Sequence, residues 1–358
     1  MSTYLPEELM LKILCRVPPK SLIRFRCVSK SWLEMIGNPD FFSHNPLNYS
    51  ILISQETPNH LLLLVKGTEK FITKREVLSF LSYKTLDSVD QIPHTLKLVA
   101  SCKGLLCLHK FRTSDVYLWN PATPSVGLKA LPPVTFRVRD VFGSCLGFGF
   151  DSRSNDFKVV RILIIEFQTK GIENFFHMNK YVEVYSLSGG SWRLLDLEVP
   201  MFFGFLICSG TLALDGAFIW WMPGHDIVVF DFSDEVFRTM PLPRLSSYWE
   251  SINISLLNGH VTLLAFAGSG MHAKCSLEIW VLLEFGVKES WTRLTTIGLP
   301  MGLEMPLGFW RRGELFMESS EGQLVLYDPF TRTKKNLQID AIKRSFQIVL
   351  HTKSSVAV

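Results

Sequence analysis

Hydrophobic residues near the N-terminus recur with the period of an α-helix. Leu5, Leu9 and Ile13 are spaced four residues apart, so they share one face of a predicted helix. Pro6 fits the first turn of this helix, because proline has no backbone N–H to lose there. The Pro-Pro pair at residues 18–19 ends the helix.

Two further short helices are predicted before residue 44. Their hydrophobic positions are Leu22, Phe25, Val28, Trp32, Met35 and Ile36. Ser29 is expected to cap the third helix. Three short helices in about 40 residues bury little surface by themselves. Their hydrophobic faces therefore predict a partner, which is either another protein or the rest of the same chain.

After residue 44 the helical period gives way to short hydrophobic runs that end in turn residues, which is typical of an all-β domain. One unit recurs five times: a hydrophobic run that ends in an aromatic residue or Asp, then a turn, then Leu-Pro or a similar stop. The runs begin at Val116, Val182, Val228, Leu277 and Leu324. The last four starts are 46, 49 and 47 residues apart, close to the length of one four-stranded β-propeller blade.

These units predict a β-propeller of about six blades, with a poorly marked unit in residues 49–100 as the sixth. The step from Val116 to Val182 is longer, at 66 residues, and we attribute the excess to a hairpin or loop extension at residues 166–180. Residues 346–351 are expected to pair back onto the first blade, so that no sheet edge stays open at the closure. A pair of stacked antiparallel sheets has evenly spaced strands too and is the alternative fold.

Two hydrophobic stretches, residues 199–224 and 251–273, are long enough to imitate membrane spans. Both contain turn residues that interrupt them. In the second stretch, Asn258-Gly259 lies between two hydrophobic runs, which is a strong signal for a two-residue β-hairpin turn. We therefore interpret both stretches as buried strands and expect no membrane partner.

Composition favours a small helical module followed by one large domain in the 358 residues. Hydrophobic residues make up 47% of the chain and charged residues only 20%, so enough core is available for such a domain. The net charge of +4 is small and its basic residues are scattered, so no nucleic-acid partner is expected. Seven irregularly spaced cysteines and no secretory signal favour reduced thiols and a cytoplasmic or nuclear location.

Signals for catalysis and for cofactors are weak. Gly147-Phe148-Gly149 lacks the remaining glycine of a nucleotide loop, and we expect its glycines to allow close packing between strands. Cys102, Cys107 and His109 have no second cysteine pair to complete a zinc site. We find no catalytic triad or paired carboxylates. The chain is therefore expected to be neither an enzyme nor a cofactor-binding protein.

The N-terminal pattern resembles an F-box. It contains Leu-Pro-x-Glu at 5–8, Ile-Leu-x-Arg-Val-Pro at 13–18 and Ser-Leu-x-Arg-x-Arg-Cys-Val-Ser-Lys-x-Trp at 21–32. The resemblance implies docking of residues 1–44 onto a Skp-family adaptor and, through it, onto a cullin scaffold. It also implies that adaptor contacts and helical core are shared among Leu5, Pro6, Leu9, Ile13, Leu14, Leu22, Val28 and Trp32.

Residues 45–358 resemble the plant F-box-associated domain, often described as kelch-like. The resemblance lies in Ser-Cys-Lys-Gly-Leu-Leu-Cys at 101–107, Trp-Asn-Pro-Ala-Thr at 119–123, Leu-Gly-Phe-Gly-Phe-Asp at 146–151, Asp-Phe-Lys-Val-Val-Arg at 156–161, Tyr-Ser-Leu at 185–187 and Ser-Trp-Arg at 191–193. The paired glycines of kelch repeats are absent. The fold expected from both resemblances is modular, with a three-helix F-box followed by the all-β domain.

The two resemblances together imply the substrate-recognition subunit of a Skp–cullin–F-box ubiquitin ligase, which recruits target proteins for ubiquitination and proteasomal degradation. The family includes self-incompatibility receptors for secreted ribonucleases and regulators of plant immune receptors. We predict that an unidentified protein substrate contacts two aromatic clusters, Tyr248 with Trp249 and Trp310 with Arg311, because exposed aromatic residues dominate binding interfaces. The alternative is a carbohydrate- or small-ligand-binding propeller without a ligase role.

Overall fold

The computed structural model describes most of the chain from residue 49 onwards and a few positions before it. The described residues are 10, 25, 27–32, 49–54, 60–67, 70–77, 96–110, 114–121, 128–133, 141–168, 176–200, 210–221, 226–245, 249, 251–257, 260–267, 275–287, 290–310, 314–329, 331–340, 343–344, 346–352, 354 and 356. Helical conformation is found at residues 10, 25 and 30–32. Most of the predicted three-helix module lies outside the described residues.

The described residues of the body form 24 strands in six four-stranded antiparallel sheets. Sheet 1 contains β1 (Tyr49–Ser54), β2 (His60–Gly67), β3 (Lys70–Val77) and the last strand, β24 (Gln347–Thr352). Sheet 2 contains β4 (Leu96–Cys102), β5 (Leu105–Lys110), β6 (Asp115–Trp119) and β7 (Leu128–Ala130). Sheet 3 contains β8 (Val141–Asp151), β9 (Asp156–Gln168), β10 (Phe176–Ser186) and β11 (Ser191–Leu195).

The second half of the body repeats the same order of strands. Sheet 4 contains β12 (Gly210–Leu214), β13 (Ala217–Trp221), β14 (Ile227–Asp231) and β15 (Val236–Met240). Sheet 5 contains β16 (Ser251–Leu257), β17 (His260–Ala267), β18 (Ser276–Leu282) and β19 (Trp291–Gly298). Sheet 6 contains β20 (Leu303–Phe309), β21 (Leu315–Ser319), β22 (Gln323–Asp328) and β23 (Thr333–Asp340).

The first strand of each sheet, with β24 in that position in sheet 1, is an inner strand that contacts the inner strands of neighbouring sheets. The inner strands β24, β4, β8, β12, β16 and β20 contact one another in that order around a ring. The ring is closed because β24 pairs with β1 over six residues, from Tyr49 opposite Thr352 to Ser54 opposite Gln347. The predicted closing strand is thereby confirmed.

Hydrogen bonds between neighbouring inner strands show that these strands run in the same direction. Asn253 Nδ2 donates to the carbonyl oxygen of Pro306 at 3.1 Å, and two residues further on Ser255 Oγ accepts from the backbone N–H of Phe309. At the closure, the Leu98 N–H donates to Gln347 Oε1, and Ser101 Oγ lies 2.9 Å from His351 Nδ1. The sheets therefore present the same ends to the same side of the molecule.

The ends of the inner strands define two opposite faces of the body. Face A is the side on which the inner strands end, at Cys102, Asp151, Leu214, Leu257, Phe309 and Thr352. Face B is the side on which they begin, at Leu96, Val141, Gly210, Ser251, Leu303 and Gln347. Because Tyr49 pairs with Thr352, the chain that follows the N-terminal segment reaches the first sheet on face A.

The repeat read from the sequence is confirmed strand by strand. Each of the five predicted runs, starting at Val116, Val182, Val228, Leu277 and Leu324, lies in the third strand of its sheet. The long step between the first two is explained by sheet 3, whose second and third strands have 13 and 11 residues. The alternative of two stacked sheets is wrong, because the strands form six separate sheets.

The two hydrophobic stretches that imitate membrane spans form strands, as predicted. The first contributes β12 and β13, and the second contributes β16 and β17. Leu257 pairs with His260, so that only Asn258-Gly259 connects these last two strands, as the hairpin signal predicted. No helix among the described residues is long and apolar enough to cross a membrane.

Two glycines allow sheets 3 and 4 to approach closely, as the sequence analysis expected. A Cβ atom placed on Gly147 would lie 2.6 Å from the Trp220 ring, and one on Gly149 would lie 2.2 Å from the Phe232 ring. Trp220 also donates its indole N–H to the carbonyl oxygen of Leu146 at 3.0 Å. Aromatic side chains of sheet 4 thus fill the space beside Gly147 and Gly149 of β8, which have no side chains.

A second inter-sheet contact recurs at the start of two outer strands. Trp192, in β11, donates its indole N–H to the carbonyl oxygen of Pro132 at 2.9 Å. Trp291, in β19, makes the same kind of bond to Pro241 at 3.2 Å. Each acceptor follows the outer strand of the preceding sheet. A Trp–Pro hydrogen bond therefore fastens sheet 3 to sheet 2 and sheet 5 to sheet 4.

The C-terminal tail adds to the closure on face A. Asn120 donates from Nδ2 to the carbonyl oxygens of Ser354 at 3.2 Å and Val356 at 2.6 Å, and Val356 packs against the core shared by sheets 2, 3 and 4. Gly104, in the turn between β4 and β5, has a φ of +86° and leaves no space beside Ser354.

Replacing Gly104 by Ala tests this closure. The new Cβ would lie 2.1 Å from Ser354 Oγ and 2.8 Å from the Ser354 backbone nitrogen, so the tail must move. Gly216→Ala is the matched control, because Gly216 has a φ of +75° in the equivalent turn of sheet 4 and no atom within 4 Å of a built Cβ. Both variants carry a backbone strain of about 1 kcal/mol. We expect Gly104→Ala to lower the free energy of unfolding in urea by at least about 1 kcal/mol more than the control. Equal losses would contradict a packed tail.

Candidate functional site

Two of the predicted adaptor-binding residues belong to the described part of the N-terminal segment. Val28 is 60% exposed, and its backbone N–H donates to the carbonyl oxygen of Phe25 at 3.0 Å. Trp32 is half-buried and packs edge-on against Phe25, with ring centroids 5.7 Å apart. Ser29 Oγ accepts the backbone N–H of Trp32 at 3.1 Å, which confirms the predicted N-cap. The other predicted adaptor contacts lie outside the described residues: Leu5, Pro6, Leu9, Ile13, Leu14 and Leu22.

The two side chains differ in their surroundings. The Trp32 ring contributes to packing within the segment, since it rests on Phe25. The Val28 side chain is exposed, and its contact with an adaptor stays a prediction.

The structure does not bring the two predicted substrate-contacting clusters together. Trp249 precedes β16 and lies on face B, where that inner strand begins. Trp310 follows β20 and lies on face A, where that inner strand ends. Their cluster partners Tyr248 and Arg311 lie outside the described residues. One target surface therefore does not include both tryptophans, unless a partner wraps around the body.

The two tryptophans also differ in burial. Trp310 is only 6% exposed and packs against Phe316 in the core of sheet 6, with centroids 5.9 Å apart, so packing explains this residue without a partner. Trp249 is half-buried against the core of sheets 4 and 5, and its buried indole N–H has no acceptor among the described residues. An unpaired buried donor is costly, by about 1–3 kcal/mol. The substrate-contact prediction at Trp249 stays a prediction.

The other tryptophans of the body mostly stabilise it. Trp220 and Trp221 are 1% and 4% exposed, and Trp280 is half-buried. Trp280 donates its indole N–H to Glu278 at 2.8 Å, and the guanidinium of Arg293 lies 5.8 Å from its ring. The Trp220 and Trp221 rings are too buried to stack on a sugar.

A central cavity of about 270 Å³ is lined by residues of all six inner strands. Its polar side chains are Lys97, Ser101, His109, Ser144, Thr211, Asn253, Ser255 and Gln347. Lys97 is the single formally charged residue among those described as lining it. The volume is near the lower limit of small-molecule sites. Such a lining suits a small polar ligand or a column of water.

His109 sits deep in this wall and is 4% exposed. Its Nε2 atom lies 3.1 Å from Ser144 Oγ. Burial, with the positive charges of Arg161 and Lys97 nearby, lowers the pKa of His109 to about 3. The imidazole is therefore neutral at physiological pH and serves as a hydrogen-bonding group rather than a proton donor.

A buried ion pair joins the two long strands of sheet 3. Arg161 donates to Glu183 Oε2 from Nε at 3.0 Å and from Nη2 at 2.6 Å. Its guanidinium also lies 3.8 Å from the centre of the Trp192 ring. Burial lowers the pKa of Arg161, and the Glu183 carboxylate opposes this shift. Arg161 pairs with Glu183 and stacks on Trp192. We therefore interpret this ion pair as a structural contact that holds the outer strand β11 in place.

A larger charge cluster connects sheets 3 and 4 on face A. Lys158 Nζ lies 2.8 Å from Asp151 Oδ2 and 2.9 Å from Glu235 Oε1, and Arg193 pairs with Glu235. Asp151 also accepts hydrogen bonds from Ser154 and Ser233. Burial alone would raise the pKa of Asp151, but the hydrogen bonds from Lys158, Ser154 and Ser233 outweigh burial and hold that pKa well below its usual range.

Sequence reasoning missed this cluster. Asp151 and Ser233 are 82 residues apart, and only the packing of two sheets brings them together. The available signal was the Asp at the end of a hydrophobic run, which recurs at Asp231 and Asp328. Asp151, Asp231 and Asp328 each accept backbone N–H groups of the following turn.

The weak zinc signal finds no support in the described part of the chain. Cys102 pairs with Leu105 across the β4–β5 turn, whereas Cys107 pairs with Ala100. Burial raises the pKa of Cys107, which disfavours the thiolate that a metal needs. Among the described residues, no three His, Cys, Asp or Glu side chains are close enough to hold a metal ion.

Family comparisons cover both parts of the chain. Residues 3–44 match the F-box domain, and residues 62–355 match the F-box associated beta propeller domain. The chain belongs to the F-box associated β-propeller family. The matched ranges agree with the helical start and with the ring of six sheets.

Curated relatives in this family are plant proteins. F-box protein At3g07870 of Arabidopsis thaliana is 27% identical over 97% of this chain and 90% of its own length. F-box protein CPR1 of the same species is 25% identical over 98% of this chain and 88% of its own. F-box/kelch-repeat protein At3g23880, also from Arabidopsis thaliana, is 26% identical over 82% of this chain and 79% of its own. The similarity therefore extends over F-box and propeller together.

Replacing Asp151 by Asn tests the charge cluster between sheets 3 and 4. Removing the buried carboxylate leaves Lys158 with one partner fewer, and we expect a loss of about 1–3 kcal/mol in the free energy of unfolding at pH 7. Because the folded pKa lies below the unfolded value of about 3.9, this contribution is complete at neutral pH and is lost as pH falls through the acid range.

The difference between the wild type and Asp151→Asn should accordingly shrink by roughly 0.5–1 kcal/mol between pH 7 and pH 3.5. Urea unfolding at several pH values measures it. Asp215→Asn is the control, because Asp215 is exposed in a turn and should change stability little at either pH. A difference that grew toward low pH would contradict a depressed pKa at Asp151.

Proposed function

We propose that this chain is the substrate-recognition subunit of a Skp–cullin–F-box ubiquitin ligase. The observation that carries the proposal is the succession of an F-box at residues 3–44 and an F-box associated propeller at 62–355 in one chain. Relatives that share both parts are named F-box proteins. In this proposal the chain recruits a target protein for ubiquitination and proteasomal degradation.

In this proposal the two modules have separate binding roles. Residues 1–44 bind a Skp-family adaptor and, through it, a cullin scaffold. The exposed Val28 side chain supports this role, because apolar surface on a short helical segment is best covered by a partner. Residues 45–358 hold the target, and we propose that each four-stranded sheet of this domain is one blade, which gives six blades.

Catalysis in this proposal requires no reactive group of the chain. Holding a target lysine near a charged ubiquitin-conjugating enzyme makes the transfer effectively intramolecular and raises the local concentration of the reactants. A rigid ring is suited to this task, since it keeps a bound target at a fixed distance from the adaptor. The chain accordingly acts as a non-catalytic receptor without a cofactor.

The cytoplasm, the nucleus or both are the proposed location. An odd number of cysteines without regular spacing suits a reducing compartment. Neither nucleic acid nor membrane is a proposed partner, since a net charge of +4 over 358 residues provides no basic stripe for a phosphate backbone.

Replacing Leu14 by Asp tests adaptor docking. A carboxylate in a desolvated apolar contact costs several kcal/mol, so the variant should lose adaptor binding by at least about a hundredfold. Leu194→Asp is the matched control, because Leu194 is 58% exposed on β11 of the body and should bind the adaptor as the wild type does. Binding is measured by calorimetry with a purified Skp-family adaptor.

A properly folded Leu14→Asp protein that binds the adaptor normally would contradict the docking assignment. Folding of the body is checked by the urea unfolding midpoint, which should equal that of the wild type.

A second candidate function is a small-ligand-binding propeller, favoured by the central cavity of about 270 Å³ and its polar lining. Stacking on sugars is not favoured, because Trp220, Trp221 and Trp310 are buried. The adaptor measurement separates the two functions. A folded wild-type chain that does not bind the adaptor would favour the small-ligand-binding function.

A further inference from the structure

Exposed hydrophobic side chains of the body concentrate on sheet 5. Six large ones are exposed among the described side chains of the body, and four of these belong to this sheet. They are Leu283 (60% exposed), Phe285 (48%), Val287 (36%) and Leu294 (58%). The first three lie in the apolar loop, residues 283–287, which follows β18 on face A and also contains the exposed Glu284. Such clustering marks a docking surface more often than scattered exposure does.

Hydrogen bonds connect the apolar loop to Ser290, the residue before β19. Ser290 Oγ lies 2.8 Å from the Glu284 carbonyl oxygen and 2.7 Å from that of Val287, and accepts the backbone N–H of Glu284. The backbone N–H of Leu283 donates to the Ser290 carbonyl oxygen at 3.2 Å. These bonds hold the apolar loop close to the start of β19.

A β-bulge adds the fourth hydrophobic side chain to the same surface. Ile279 pairs with Thr295 and Trp280 pairs with Arg293, so Leu294 is the extra residue of β19. The bulged residue leaves the regular alternation of the strand, and its side chain is exposed. Pairing with β18 resumes at Thr295 and continues to Gly298.

The outward side of the β19 backbone pairs with no strand among the described residues, because β19 is the outer strand of its sheet. Proteins usually protect such edges by short strands or by charges, above all lysine. The outer strands β7, β11 and β15 have three, five and five residues. The longer outer strands β3 and β23 carry charges at Lys70, Lys74, Arg75, Glu76, Lys334, Lys335 and Asp340. In contrast, β19 has eight residues and a single charge, Arg293, which pairs with Glu278 at 3.5 Å.

We propose that the outer edge of sheet 5 docks an extended segment of a partner protein with alternating hydrophobic side chains, which adds to β19 as a fifth strand. Main-chain hydrogen bonds to Thr295–Gly298 would supply affinity, and hydrophobic side chains of the segment would contact Leu294 and the apolar loop. The free edge selects an extended occupant, and the exposed hydrophobic side chains of Leu283, Phe285 and Leu294 select one that carries hydrophobic side chains. That this partner is the ubiquitination target rests on the proposed function.

The experiment uses the full chain and a phage library of random peptides about 10 residues long, enough to span an eight-residue strand. Selection on the wild type should enrich peptides with alternating hydrophobic residues. Affinity of a synthetic selected peptide is then measured by fluorescence anisotropy. Hydrogen exchange with the peptide bound should protect backbone amides of residues 291–298.

Leu294→Lys is the decisive variant, because it places a charge in the apolar contact and protects the edge as other outer strands are protected. We expect it to weaken peptide binding at least about tenfold. Leu194→Lys is the control, since Leu194 has the same 58% exposure on β11, the outer strand of sheet 3. It should leave the affinity within about twofold of the wild type.

Equal affinities for the two variants, protection of other amides, or no enriched peptide would overturn the proposal. So would a wild-type dimer that Leu294→Lys dissociates, because the edge would then be covered by a second copy. Adaptor binding is measured on the same proteins. A chain that binds the adaptor yet shows no peptide site overturns only the docking surface, whereas loss of adaptor binding in the wild type overturns the proposed function.

Discussion

The pairing of β24 with β1 is the constraint on which the rest of the structure depends. Neighbouring inner strands contact one another around the ring, so a chain that begins and ends in different sheets would leave two edges open. Placing the last strand of the chain beside the first strand of the body removes this difficulty. The contacts of Asn120 and Gly104 with the C-terminal tail also stabilise the closure of the ring.

Closure also decides where the functional modules meet. Because β24 is an inner strand that ends on face A, β1 must begin on face A, and the N-terminal F-box segment leads into the body from that side. The apolar loop of sheet 5 shares this face, whereas Trp249 lies at the opposite one. In the proposed ligase, a target bound along the outer edge of sheet 5 and a target bound near Trp249 would therefore be presented differently.

Contacts between sheets make the ring a rigid support. Gly147 and Gly149 let aromatic rings of sheet 4 reach the backbone of sheet 3, and the Asp151–Lys158 pair fastens the same two sheets on face A. Specificity in such a scaffold belongs to the parts that these contacts leave uncovered, which are loops and outer strands.

Local patterns in the sequence predicted most of the fold. The hydrophobic runs identified the third strand of five sheets, Asn258-Gly259 located a hairpin, and residues 346–351 were assigned to closure; all three depend on spacing along the chain. The charge cluster at Asp151 and the burial of Trp310 were not predictable, because each depends on residues that only tertiary packing brings together. The bulge at Leu294 was not predictable from the sequence either, since strand register is set by the partner strand.

The proposed receptor role depends on docking of the N-terminal module onto a ubiquitin-ligase adaptor. Co-expression with a Skp-family adaptor, followed by size-exclusion chromatography with light scattering, measures this docking. The receptor assignment predicts a stable one-to-one complex that co-elutes as one peak. A folded, soluble chain that elutes separately from the adaptor would contradict it.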